Sequence, residues 1–145
     1  MYLVSACLAG VNCRYDGKDS ADEKVMELVN QGKAIPVCPE QLGGLSTPRI
    51  SCELVHQPGD KQIINREGTD RTEEFRLGAE RTLAVAKALG IKKAIMKSKS
   101  PSCGCGQIYD GTFSGKLIPG NGLAVELLLK NGIEVVTEKD FSENS

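Results

Sequence analysis

"MYLVSACLAG", Met1 to Gly10, decides how the rest of the chain is read. Tyr2 to Ser5 is an apolar, β-compatible run of the length of a short buried strand, and Cys7 stands just past its end. The run is too short to span a membrane and lacks the basic flank of a secretory signal, so a cytoplasmic chain is expected. The same arrangement recurs twice. "KAIPV", Lys33 to Val37, reads as a second strand, with Pro36 tolerated if that edge needs no ladder bond, and Cys38 follows it directly. "KKAIM", Lys92 to Met96, reads as a third, and the loop after it reaches Cys103.

Helical segments separate these strands. Asp19 to Asn30 opens on capping residues and stops at Gly32. Asp70 to Gly90 carries the strongest helical pattern, with Phe75, Leu77, Ala79, Leu83, Ala86 and Leu89 as its apolar stripe. A helix from Leu123 to Lys130 and a strand from Ile133 to Val136 close the chain. Alternation of this kind predicts an α/β fold: a Rossmann-like open, mostly parallel sheet with helices on both faces, in one domain over residues 1–145. Ligands of such sheets bind outside the carboxyl ends of the strands, so Cys7, Cys38 and Cys103 are expected to converge there. From Pro39 to Gly68 no periodicity persists, save one short strand at Gln62 to Ile64, and a loop that long inside a compact domain is usually functional.

Composition narrows the partners. Within 145 residues, 40% hydrophobic side chains suffice for one core. Eighteen basic residues against nineteen acidic ones give a net charge of −1, so no global field draws nucleic acid or an anionic membrane. Lys92-Lys93 and Lys97-Ser98-Lys99 are the only basic clusters and read as solvated strand ends. A small-molecule partner is expected, and no feature of the sequence sets an oligomeric state. Six cysteines in a reducing compartment point to metal or catalysis rather than to a disulfide framework.

Three thiolates from three strand ends would suit an iron-sulfur cluster that leaves one iron open, able to act as a Lewis acid toward a soft sulfur. Zinc ligands or plain buried thiols remain alternatives, because the chain has no C-x-x-C pair. Glu40, two residues after Cys38, is placed to move protons; a loop salt bridge is its bland reading. Arg49 reads as a partner for Glu40 or for a substrate oxygen. Asp16 and Asp110, each before a glycine, read as turn residues. Glycines 43, 44, 104 and 106 read as points of close backbone approach, with N–H groups available to a cluster. His56 with Glu53 is too little for a metal site, and "GNGLAVELLL" from Gly120 is either a phosphate cradle or a plain helix entry.

"SACLAGVNCRYDG" (Ser5–Gly17), "CPEQLGGLSTPR" (Cys38–Arg49), "KSKSPSCG" (Lys97–Gly104) and "IYDGTFSG" (Ile108–Gly115) follow one another along nearly the whole chain. Together they resemble the successive motifs of the TudS-like thiouracil desulfidases, formerly a domain family of unknown function. The resemblance implies a [4Fe-4S] cluster held by three cysteines and a non-redox removal of sulfur from a thiolated pyrimidine, 4-thiouracil or a related nucleoside. Matched by motif, Cys7, Cys38 and Cys103 are its implied metal and cofactor ligands, Glu40 its implied acid/base and Ser100 a serine near the substrate. Cys13, Cys52 and Cys105 fall at positions expected to vary. Among these, Cys105 is the one that could replace Cys103, occupy the fourth iron, or form a disulfide in cluster-free protein. RNA-acting relatives carry a further domain for which this chain has no room, which favours a small substrate. The alternative is a zinc or iron-sulfur binding module without catalytic activity.

Overall fold

The structure, a computed structural model, describes residues 1–57 and 60–142, with the side chains at 56, 57 and 60 left aside. Strands β1 (Tyr2–Ser5), β2 (Ala34–Val37), β5 (Lys93–Met96) and β8 (Glu134–Thr137) form one sheet in the order β2-β1-β5-β8. All three pairings are parallel, as the alternation of strand and helix requires. β2 lies at the edge, which is how Pro36 is accommodated.

Successive residues of β1 face opposite layers. Leu3 packs with Ala94, Ala86, Val125 and Leu128, the last three carried by α3 (Thr72–Ala88) and α4 (Leu123–Lys130). Val4 packs with Ile95 and with Val25 and Leu28 of α1 (Glu23–Asn30). Both Val25 and Leu28 are buried, each contributing about 1.5–3 kcal/mol, and Asp22 caps the helix by accepting from the Lys24 and Val25 N–H groups. Helices therefore cover both faces of a parallel sheet whose strands are apolar on each side.

Two expectations need correction. On α3 the buried face is Phe75, Ala79, Thr82 and Ala86, spaced four, three and four, whereas Leu77 is 37% exposed and Leu89 50% exposed. A strict 3.6-residue period turns both leucines away from the core. Nor is the stretch from Pro39 to Gly68 a loop. It holds the short helix α2 (Pro39–Leu42) and an antiparallel hairpin of β3 (Cys52–Gln57) and β4 (Asp60–Asn65). This hairpin stands outside the main sheet and buries its cross-strand pair Leu54 and Ile63 against Phe75 and Ile108. Only one large apolar side chain per strand is fully buried, which leaves no alternation to read. A second small hairpin, β6 (Gln107–Tyr109) with β7 (Leu117–Pro119), supplies Ile108. Among the described residues no helix is long and apolar enough to cross a membrane.

Candidate active site

From β1 the chain passes to β2 on one side, then returns across β1 to β5 on the other. That reversal opens a crevice at the carboxyl ends of the strands, the usual ligand position of such sheets. A cavity of about 460 Å³ occupies it and is lined by Cys7, Cys38 and Cys103. Cys7 sits in a single 3-10 turn (Ala6–Ala9) directly after β1, and Cys38 caps the start of α2 directly after β2. Proline at the first helical position, Pro39, suits an N–H that would have no partner anyway.

Cys103 is fixed by the start of α4. The N–H groups of Leu123 and Ala124 donate to the carbonyls of Pro101 and Ser102 at 2.8 and 3.0 Å, and the Gly122 N–H donates to Gly104 at 2.8 Å. Those helix donors are thus spent on the cysteine loop, and the glycine-rich entry is a helix cap rather than a phosphate cradle. At Gly122 a Cβ would stand 2.8 Å from the Cys103 nitrogen, so only glycine lets helix and loop meet. Gly104 likewise admits the Ser100 carbonyl, while Gly43 admits α3; neither lines the cavity. Gly44 and Gly106 adopt φ of +94° and +84° and serve as turn residues.

Glu40, Ser102 and Ser100 form one hydrogen-bonded chain. Ser102 Oγ donates to Glu40 Oε2 at 2.9 Å, and Ser100 and Ser102 hydroxyls lie 3.3 Å apart. Because Ser102 has a single proton and gives it to the carboxylate, Ser100 is the donor of that pair. Ser100 in turn accepts the Cys103 N–H at 2.7 Å. Such a chain, running from a backbone amide to a carboxylate, polarises each bond in the same sense. The other carboxylate oxygen accepts from Arg49 Nε at 3.2 Å. Arg49 also donates to the Ser46 and Cys13 carbonyls and the Thr47 hydroxyl, at 3.1, 2.9 and 2.9 Å. With its side chain only 7% exposed and every arm occupied, Arg49 is Glu40's structural partner. Asp16 and Asp110 accept from the N–H groups of Lys18 and Thr112, two residues on, as turn carboxylates do.

Several of the thiols stand above their ordinary range. Desolvation pushes Cys103 up to about 12, although the neighbouring Ser5 and Ser102 hydroxyls pull it the other way. Its hydrogen bond with Cys13, and then burial, push Cys38 far above the ordinary thiol range. Cys13 rises to about 11: the bond with Cys38 lowers it, but the bond with Cys7 and burial outweigh that. Cys52, first residue of β3, is raised to about 11 by burial and by the Glu40 charge. Thiols held neutral in this way become thiolates when a metal takes the place of their protons.

All six cysteines are free. Among the described residues no three His, Cys, Asp or Glu side chains stand close enough together to hold a single ion. A [4Fe-4S] cluster spreads its thiolate ligands around a body larger than one ion, and the cavity lined by Cys7, Cys38 and Cys103 offers that space. Cys105 does not line this cavity: its Sγ donates to the Val135 carbonyl at 3.8 Å.

Residues that sequence reasoning passed over complete the walls. Three of the chain's aromatic residues, Tyr15, Tyr109 and Phe113, line the cavity, and the Arg66 guanidinium lies 5.1 Å from the Phe113 ring centroid. Buried Glu53 holds the Phe113 loop by accepting from the Gly111 and Phe113 N–H groups at 3.0 and 3.1 Å. Lys99 and Phe113, with φ of 74° and 57°, both face the cavity, and strained backbone of this kind gathers at functional sites. Ser102 was signalled only by lying between Pro101 and Cys103, and Cys13 only by its type. The His56 side chain lies outside the described residues.

Known proteins resemble this chain in sequence and fold. A solved structure of a [4Fe-4S]-dependent thiouracil desulfidase, TudS, superposes with a TM-score of 0.89 at 41% identity, over 97% of this chain and 91% of that one. The uncharacterized protein YbbK of Bacillus subtilis is 44% identical across 99% of each chain. The family described as 2-thiouracil desulfurase matches residues 2–140. By these matches the chain belongs to the 2-thiouracil desulfurase family.

Proposed function

We propose that the protein desulfurates a thiolated uracil, 4-thiouracil or a related nucleoside, to uracil and sulfide, with Cys7, Cys38 and Cys103 holding a [4Fe-4S] cluster. One observation carries the reading: three thiols from three strand ends and a carboxylate with a two-serine relay share one cavity. The similarity to TudS supports it. When bound, the cluster supplies a Lewis-acidic iron with affinity for the leaving sulfur.

The chain's own residues do the rest. Tyr15, Tyr109 and Phe113 give a flat base apolar surfaces to lie on. Glu40 takes a proton from the water that attacks the sulfur-bearing ring carbon and later returns it. Ser102, donating to Glu40 Oε2, and Arg49, donating to Oε1, hold that carboxylate in one orientation. Ser100 keeps Ser102 aimed at Glu40 and fixes the Cys103 amide.

Anaerobic reconstitution followed by a sulfide-release assay tests this, with 4-thiouracil, 2-thiouracil and their nucleosides run side by side. Sulfide should appear in step with iron content. Glu40→Gln should keep its iron and turn over slower by roughly 10²- to 10⁴-fold, the share of a general acid/base. Turnover near wild type in that variant would remove Glu40 from the chemistry, and sulfide release independent of iron would end the cluster reading.

A further inference from the structure

Glu53 is a buried carboxylate, 8% exposed, on the wall of the cavity, and among the described residues no cation pairs with it. Burying such a group is costly unless hydrogen bonds satisfy it, so its donors show what it is kept for. Both are backbone amides of one loop: the N–H groups of Gly111 and Phe113 donate to the same oxygen, Oε1, at 3.0 and 3.1 Å. That loop joins β6 to β7 and buries little, since Thr112, Ser114, Gly115 and Lys116 are exposed. Phe113 nevertheless keeps a φ of 57°, a left-handed backbone that persists in an aromatic residue only where the surroundings over-determine it. Glu53 supplies that determination by gripping the backbone at Phe113 itself and two residues before it.

We propose that Glu53 is a positioning residue for substrate binding: its grip on the loop keeps the Phe113 ring on the cavity wall, where the base lies, so that Glu53 governs KM rather than the chemical step. This rests on the reading of the cavity as the site of a thiolated uracil; the anchoring of the loop does not. Without an acceptor at Oε1 the two N–H groups lose their partner, the left-handed backbone relaxes and the ring leaves the wall. The charge of the carboxylate has no part in this. Among the described residues nothing donates to Oε2, so a glutamine whose carbonyl stands in for Oε1 keeps both bonds, and its amide displaces no donor. A residue that moved a proton, or met the substrate through its charge, would not tolerate that exchange.

The test uses the full-length chain reconstituted anaerobically, with sulfide release from 4-thiouracil followed over a range of concentrations. Glu53→Ala should raise KM by roughly tenfold, the scale of one lost base–aromatic contact, with kcat per iron within about twofold of the wild type. Should the alanine variant fail to fold or to hold iron, Glu53→Met, of similar length and without an acceptor, takes its place. Glu53→Gln should keep a KM near that of the wild type. Phe113→Ala should match Glu53→Ala, and the double variant should add nothing further, because both act through one ring. Amide hydrogen exchange should quicken at Gly111 and Phe113 in Glu53→Ala and stay slow in Glu53→Gln. A glutamine variant as poor as the alanine one, an unchanged KM in Glu53→Ala, or effects of Glu53→Ala and Phe113→Ala that multiply would each overturn the proposal. A wild-type chain that releases no sulfide would refute the reading of the reaction instead, with exchange at the two amides still deciding whether Glu53 anchors the loop.

Discussion

Replacing Gly78 by alanine sets two effects against each other, and the structure says which wins. Within α3, away from its ends, alanine is favoured over glycine by about 1 kcal/mol, so helix propensity alone predicts a more stable protein. Gly78, however, faces α2. A Cβ there would stand 2.9 Å from the Pro39 carbonyl carbon, closer still to its oxygen, and 3.3 Å from the Gly43 nitrogen. Ordinary carbon–carbon contact needs about 3.5 Å, so α2 must retreat by at least about 0.6 Å. The obstacle is backbone on every side, and overpacking of this kind costs about 1–3 kcal/mol. Taking the upper end, the net loss is about 2 kcal/mol, or roughly 4–8 °C in Tm for a chain of this size. The displaced segment begins with Cys38 and carries Glu40, and a misplacement near 1 Å can cost on the order of 10²-fold in rate. Melting followed by circular dichroism and sulfide release per iron measure both effects. Gly44→Ala is the control: its φ of +94° strains the new residue, but nothing lies within 4 Å of the added carbon. It should lower Tm by less, with turnover intact. A raised Tm with unchanged turnover in Gly78→Ala would show that close approach of α2 and α3 does not set the site.

Further expectations concern single side chains. Arg49→Ala should destabilise the fold by about 3–5 kcal/mol in urea titration, because it strands the largely buried Glu40 carboxylate and frees the Cys13 carbonyl; Arg49→Lys should recover little, since one ammonium cannot reach all four acceptors. Cys38→Ser should lose most of its iron on reconstitution while Cys52→Ser keeps it, although both thiols line the cavity; equal loss would mean the ligands are wrongly chosen. Phe75→Ala should cost about 3–5 kcal/mol, whereas Leu77→Lys and Leu89→Lys should stay within about 0.5 kcal/mol, a difference that equilibrium unfolding resolves directly.

Much of the architecture is written locally. β1 and α4 fall on the residues expected of them, and the other sheet strands and long helices differ only at their ends, because buried parallel strands are short apolar runs and helices announce caps and stops. The placement of Cys7, Cys38 and Cys103 at one edge followed from that alternation, since parallel strands must end on the same side. Of the two hairpins only the middle of β4 was legible, as the short strand Gln62 to Ile64; their other strands bury too little to impose a period.

What only the tertiary structure decided are relations between residues distant in the chain. Ser102 reaches Glu40 across 62 positions, and Arg49 reaches the Cys13 carbonyl across 36. Gly43 and Gly78 are needed not by their own backbone angles but by each other's helix. Residue types fix which groups can donate, accept or bind metal, and local pattern fixes where strands and helices run. Which donor meets which acceptor depends on distances that exist only once the layers have packed.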